Sequence, residues 1–240
     1  MRIDIWSDIV CPWCYVGKRR LEKALAGFEH ADQVEVVYHS YELDPTAPAV
    51  PTETAREMLA RKYGMSPEQA AEAQGRVIGL AAEEGMAWQH ERSPHVATRD
   101  GHRVLHLALA EGGPATQRAL KEALLEAYFG QARNVADHAV LHELAVAAGL
   151  DAARVDQVLA GDEFDDAVTA DVRQAAAYGA TGVPFFVVEQ KYGVSGAQPT
   201  ELFSQLLERA WAETQPAIQL VTGADGEVCG PDGCAVPARD

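Results

Sequence analysis

The chain has 240 residues, 48% apolar and 23% charged. That is ordinary for a globular protein and long enough for one large domain or a core with a sizeable insertion. A formal net charge of −16 repels phosphate backbones and anionic lipid, so nucleic acid and membrane surfaces are poor candidates as partners.

Arg2 to Trp6 reads as a short strand, with Ile3 and Ile5 on one side and Arg2, Asp4 and Trp6 on the other. Asp8 to Pro12 is a turn, and a helix follows from Trp13, its apolar stripe formed by Val16, Leu21, Ala24, Leu25 and Phe28. Val34 to Leu43 is a second strand, rich in Val and Tyr, and β–turn–α–β predicts parallel pairing of the two. Asp44 to Pro51 is a linker.

Helices come next. Ser66-Pro67-Glu68-Gln69 is a capping box with Pro at the first helical position. Leu120, Ala123, Leu124, Ala127 and Tyr128 mark an amphipathic helix. Leu141 to Ala148 marks another, stopped by Gly149, and Asp151 caps a third that ends before Gly161. Strand signal returns at Pro184 to Val188. A turn and short strand at Lys191 to Gly196 predict a hairpin, and Leu202 to Ala210 predict a closing helix. The expected organisation is an α/β core from residues 1–48 and 168–212, a large all-helical insertion from 49–167, and a tail from 213–240.

Cys11, Cys14, Cys229 and Cys234 are the four cysteines. No basic stretch followed by an apolar one marks a secretory leader, and no apolar run reaches the roughly 18–20 residues that span a bilayer. The expected compartment is therefore the cytoplasm, where paired thiols are catalytic, redox-sensing or metal-binding rather than structural. Cys11-Pro12-Trp13-Cys14 sits between a strand and a helix start, the setting of a redox pair, although C-x-x-C alone is also half a zinc site. The helix dipole and free backbone N–H groups are expected to favour a Cys11 thiolate, with Cys14 one turn away to resolve a mixed disulfide. A fall in the Cys11 pKa from about 8.5 to about 6.5 raises attack only about three-fold, because a weaker base is a weaker nucleophile. The same fall makes the disulfide more oxidising by about 60 mV, so redox poise is the larger effect.

Val183-Pro184 precedes a strand beside this site. A cis bond there would turn the Val183 backbone toward an extended substrate, whereas an ordinary trans proline at a strand start is the plain alternative. Pro12 and Trp13 are expected to contribute to the substrate surface. Cys229-Gly230-Pro231-Asp232-Gly233-Cys234 reads as an auxiliary redox pair, a local disulfide or thiols without a role. Four cysteines on one Zn²⁺ is a further reading. Asp8 reads either as a proton acceptor near Cys14 or as a turn former. The pairs His102/His106 and His138/His142, with His90 and His95, raise a metal reading, but no acidic third ligand is patterned with them.

Ser7 to Gly17, with Cys11-Pro12-Trp13-Cys14 at its centre, resembles the opening of the DsbA-like thioredoxin family, specifically its FrnE-type branch. Gly182-Val183-Pro184-Phe185-Phe186 resembles the family's cis-proline loop, and Val194 to Pro199 its closing motif. His102-Arg103 and Tyr128-Phe129 also resemble family positions, while Ala97-Thr98 departs from a frequent Asn-Thr. The resemblance implies a thioredoxin-like core with a helical insertion, a nucleophile at Cys11, a resolving thiol at Cys14 and a cis bond before Pro184. It implies no bound cofactor or metal, the chemistry residing in the redox-active disulfide.

The expected function is thiol–disulfide exchange with disulfide-containing proteins or small thiols, renewed by a cellular thiol reductant. One alternative is a glutathione-dependent isomerase or transferase of the 2-hydroxychromene-2-carboxylate isomerase type, against which two thiols argue. Others are a relative specialised for polyketide biosynthesis and a non-catalytic zinc or redox-sensing module.

Overall fold

The computed structural model describes residues 1–214; the Cys229/Cys234 pair lies outside the described residues. The elements run β1 (Arg2–Ser7), α1 (Pro12–Ala26), β2 (Glu35–Ser40), α2 (Ala55–Tyr63), α3 (Pro67–Glu83), α4 (Arg99–Phe129), α5 (His138–Ala147), α6 (Ala152–Ala160), α7 (Asp165–Ala177), β3 (Phe185–Val188), β4 (Tyr192–Ser195) and α8 (Thr200–Thr214). The sheet order is β2-β1-β3-β4. β1 pairs parallel with β2 (Ile3 opposite Val36) and antiparallel with β3 (Trp6 opposite Phe185), and β3 and β4 form an antiparallel hairpin.

The two-residue period of the strands separates two faces. Ile3, Ile5, Phe186 and Val188 pack on Leu21 and Ala24 of α1 and on Phe203, Leu207 and Ala210 of α8. Trp6, Phe185 and Val187 pack on Ala175 of α7. A larger apolar cluster ties Ile9, Tyr15 and Val16 to Leu107, Leu120, Leu124 and Phe129 of α4, so the helical block and the site loop share one core. No described helix is long and apolar enough to cross a membrane.

Differences from the expected elements have local causes. The second strand is shorter, ending at Ser40, and Leu43 beyond it donates its N–H to Asp8. Helix α1 begins at Pro12, one residue earlier than expected, with Cys11 as its N-cap. Helix α2 was not anticipated, although Thr54 and Glu57 form a full capping box at its start. The amphipathic stretch around Leu120 is the second half of α4, which breaks at Gly113 (φ 73°) before Pro114. A proline there has no N–H to give the preceding turn. The divisions drawn at 167/168 and 212/213 fall inside α7 and α8.

Gln117 of α4 fixes this helix to the sheet. Its side-chain amide accepts from the Tyr38 N–H and donates to the Tyr38 carbonyl, both at 2.8 Å, pairing with the β2 edge as a neighbouring strand would. One turn on, the same helix face carries Lys121 toward β1.

Candidate active site

β1 delivers Ser7 and Asp8 to a turn whose far end is Cys11, held in extended conformation (φ −88°, ψ 113°). Cys11 and Cys14 are free thiols, only 2% and 3% exposed. The Cys14 N–H donates to the Cys11 carbonyl at 3.1 Å, which closes the first turn of α1. The Cys11 sulfur caps no helix N–H. Its thiol instead donates to the Val183 carbonyl at 3.6 Å, and the Cys14 backbone N–H favours its thiolate less than the other contacts oppose it.

The acidity of the pair is also distributed differently from expectation. Cys11 is raised well above an ordinary thiol by its hydrogen bond with Cys14, by burial and by the Cys14 charge. For Cys14, burial pushes upward but is outweighed by the Cys11 hydrogen bond, the Lys121 ammonium, Ser7 and the Asp8 backbone, and the net direction is down. The Ser7 hydroxyl is buried without a regular hydrogen-bond partner, and its influence on Cys14 is through proximity. The buried Lys121 ammonium, from the helical block, thus adds to the Cys11 hydrogen bond in favouring a thiolate at Cys14.

Lys121 is fully buried. Its ammonium donates to the Ser7 carbonyl at 3.2 Å and lies 5.7 Å from the centre of the Tyr38 ring. Burial pushes it down to about 8, against the pull of Cys14, Asp8 and Cys11. Asp8 is likewise fully buried. Its oxygens accept from the N–H of Ile9 at 2.7 Å and of Leu43 at 2.8 Å, and Oδ1 faces His102 Nε2 at 3.3 Å. Burial raises this carboxyl, but His102, the Leu43 amide and Lys121 outweigh it and hold it below the usual range. Burial lowers His102, so its neutral ring serves as a donor. With its oxygens committed, Asp8 is a turn former, not a free proton acceptor beside Cys14.

Cys11, Pro12 and Trp13 form one wall of a cavity of about 850 Å³, with Gly182 and Val183 beside them and residues of α2 and α3 opposite. Trp13 is 45% exposed at the rim. Cys14 is not among the lining residues, so Cys11 is the sulfur presented to the cavity. The Val183–Pro184 bond is cis. Pro184 is buried and is not in the cavity wall; it packs on α1, where a Cβ on Gly17 would lie 3.1 Å from Pro184 Cγ and 3.2 Å from Phe186 Cζ. Pro184 thus helps seat the loop that carries Val183.

The histidines are dispersed. His95 pairs with Asp44 and Glu53, His106 with Asp171, His138 with Asp100 and His142 with Asp156. Among the described residues no three His, Cys, Asp or Glu side chains gather as a metal site. Arg103 braces the helical block by donating to the carbonyls of Glu163, Val158 and Gly161.

The family profile of the DSBA-like thioredoxin domain matches residues 2–208. The chain belongs to the DsbA-like thioredoxin family. A probable DsbA oxidoreductase from Streptomyces coelicolor is 51% identical, with 99% of this chain and all of that one covered and a TM-score of 0.83. The uncharacterized protein YwbO of Bacillus subtilis (strain 168) is 26% identical over 212 residues, 86% of this chain and 96% of that one. The cytosolic disulfide reductase DsbM of Pseudomonas aeruginosa, in a structure with GSH, is 18% identical over 88% of this chain and 100% of that one. Its TM-score of 0.63 shows the shared fold.

Within this DsbA-like frame, sequence reasoning missed Lys121 and weighed His90 only as a metal ligand. A lysine among Leu120, Leu124 and Leu125 carries one signal. It falls four residues from Gln117 and four from Leu125, on the buried face of its own amphipathic helix.

Proposed function

We propose that this DsbA-like protein is a dithiol–disulfide oxidoreductase whose nucleophile is Cys11 and whose resolving thiol is Cys14. The observation that carries the reading is the arrangement of the two free thiols: Cys11 in the cavity wall, Cys14 directly behind it. In the forward step Cys11 passes its proton to the Cys14 thiolate as its sulfur attacks one sulfur of a substrate disulfide, forming Cys11–S–S–R and releasing the other half as a thiolate. Cys14 gives that proton to the released thiolate and then attacks the Cys11 sulfur, closing the protein disulfide and releasing RS⁻. Two electrons pass from the pair to the substrate. Once Cys11 has lost its proton, the Val183 carbonyl loses its donor and can accept an N–H from the substrate.

A disulfide-bearing protein or small molecule is the substrate and a cellular thiol reductant renews the pair, in a reducing compartment such as the cytoplasm. The chemistry needs no cofactor. The paired thiols weigh against the glutathione-dependent isomerase alternative.

Reduction of insulin disulfides by the full chain tests the proposal. Cys11→Ser should abolish turnover, and Cys14→Ala should accumulate mixed disulfides on Cys11 whose partners mass spectrometry identifies. Activity of Cys11→Ser equal to the unmodified protein would overturn the reading. Recovery of Cys229 or Cys234 among the trapped partners would add the tail pair as an electron relay.

A further inference from the structure

The cavity beside Cys11 has the volume of a small-ligand site. α2, α3 and the turn between them line it mostly with apolar side chains, Met58, Leu59, Met65, Val77 and Leu80. One uncommitted polar ring interrupts them. His90 is 6% exposed, and its Nδ1 is buried with no hydrogen-bond partner. It is fixed by aromatic contacts, 4.8 Å to Phe129 and 6.0 Å to Tyr128 between ring centres. Burial pushes His90 down to about 4, so its ring is neutral at pH 7 and offers one donor and one acceptor. An unpaired buried polar group costs about 1–3 kcal/mol, which a ligand hydrogen bond would relieve.

The charges of the cavity are asymmetric. Its two carboxylates are committed, Asp8 to backbone amides and His102 and Asp44 to Thr46 and His95. Its two cations are not. Lys62 has no ion-pair partner among the described residues, and Arg76 has a single 3.9 Å contact with Glu72, both side chains largely in solvent. In a chain of net charge −16, this mouth is a local positive spot. Cys11 is 2% exposed and lies in the cavity wall, within reach of a molecule that enters the cavity.

We infer that the disulfide this cavity selects belongs to a small molecule with an apolar body, an anionic group that meets Lys62 and Arg76, and a polar group that bonds His90. The inference rests on the dithiol reading above and names its substrate class. The exchange is the one already written: the small disulfide is reduced to two thiols as the Cys11/Cys14 pair is oxidised.

The test is stopped-flow oxidation of the reduced full chain, with Cys229 and Cys234 changed to serine in every variant. One probe is 5,5′-dithiobis(2-nitrobenzoate), aromatic and anionic; the other is 4,4′-dithiodipyridine, aromatic and uncharged. Each rate is divided by that of N-acetylcysteine with the same probe. The expected result is saturation with the anionic probe and a normalised rate about 10-fold above that of the neutral one. Lys62→Glu with Arg76→Glu should remove that preference, and His90→Phe should raise the half-saturating concentration about 5–10-fold. Ala73→Trp, which fills the cavity, should abolish saturation. Equal, unsaturable rates for both probes, unchanged by the charge reversals, would overturn the assignment while leaving the dithiol chemistry standing. Undiminished reaction of Cys11→Ser would instead sink the dithiol reading.

Discussion

Lys121 donates to the Ser7 carbonyl at 3.2 Å, placing a buried cation from helix α4 under the end of the strand that leads to Cys11. That cation is among the forces that lower Cys14. Lys121→Met should make the first thiol less acidic and move the rising limb of the pH–rate profile upward. Each tenfold loss of thiol acidity costs about 1.4 kcal/mol and makes the disulfide about 30 mV less oxidising, since the reduced form loses its stabilised thiolate. Thiol absorbance at 240 nm against pH, with redox equilibration against glutathione, measures both. An unchanged profile and potential would remove Lys121 from the chemistry.

Asp8→Asn should act in opposite directions on stability and reactivity. The amide cannot accept from both Ile9 and Leu43 while facing His102, so stability should fall by about 1–3 kcal/mol. The same change removes a negative charge that helps hold Cys11 up, so that thiol should titrate lower. Denaturant melts and thiol titration of one variant read the two effects.

His39 sits between Asp171 at 2.8 Å and Asp4 at 2.7 Å, stacked on Trp6 with ring centres 4.5 Å apart. Burial lowers it, but hydrogen bonds and charges from both carboxylates win and raise it to about 9. Because the folded value lies above that of a free imidazole near 6.5, its contribution is complete below about pH 6.5 and disappears as pH rises through 9, a loss on the order of 3 kcal/mol. His39→Gln should flatten the stability profile across that window in denaturant titrations.

Gly17→Val should displace the Val183–Pro184 loop. The added atoms meet the Pro184 ring and the Phe186 ring, which are backed by the core. Overpacking of this kind costs about 1–3 kcal/mol, or roughly 2–12 °C in a chain of this size. Exchange activity should fall more than stability at 25 °C, because the carbonyl facing Cys11 moves with the loop.

The sequence made the sheet legible because each strand carries its own period-two pattern, and parallel β1–β2 pairing with a β3–β4 hairpin follows from connection lengths. It made Cys11 and Cys14 legible because four adjacent residues carry the motif. Helix α2 was hidden because its nine residues of mixed polarity include no buried one, leaving the Thr54/Glu57 cap and Gly64 as its markers. The surroundings of the pair were hidden for a different reason. Helix position is local and visible, whereas Lys121 is more than a hundred residues away and acts only through the fold. His90 as a lone cavity ring is likewise a product of tertiary packing, invisible to any spacing rule.

The thiol of Cys11 and the carbonyl that receives it are separated by 172 positions in the chain. On a ribosome adding about 5–20 residues per second, the reactive cysteine exists for roughly 10–30 s before its acceptor is made. Throughout that interval the nascent chain carries Cys11 without the Val183 carbonyl that receives its thiol. The thiol–carbonyl pairing is complete only when the last quarter of the polypeptide emerges and docks.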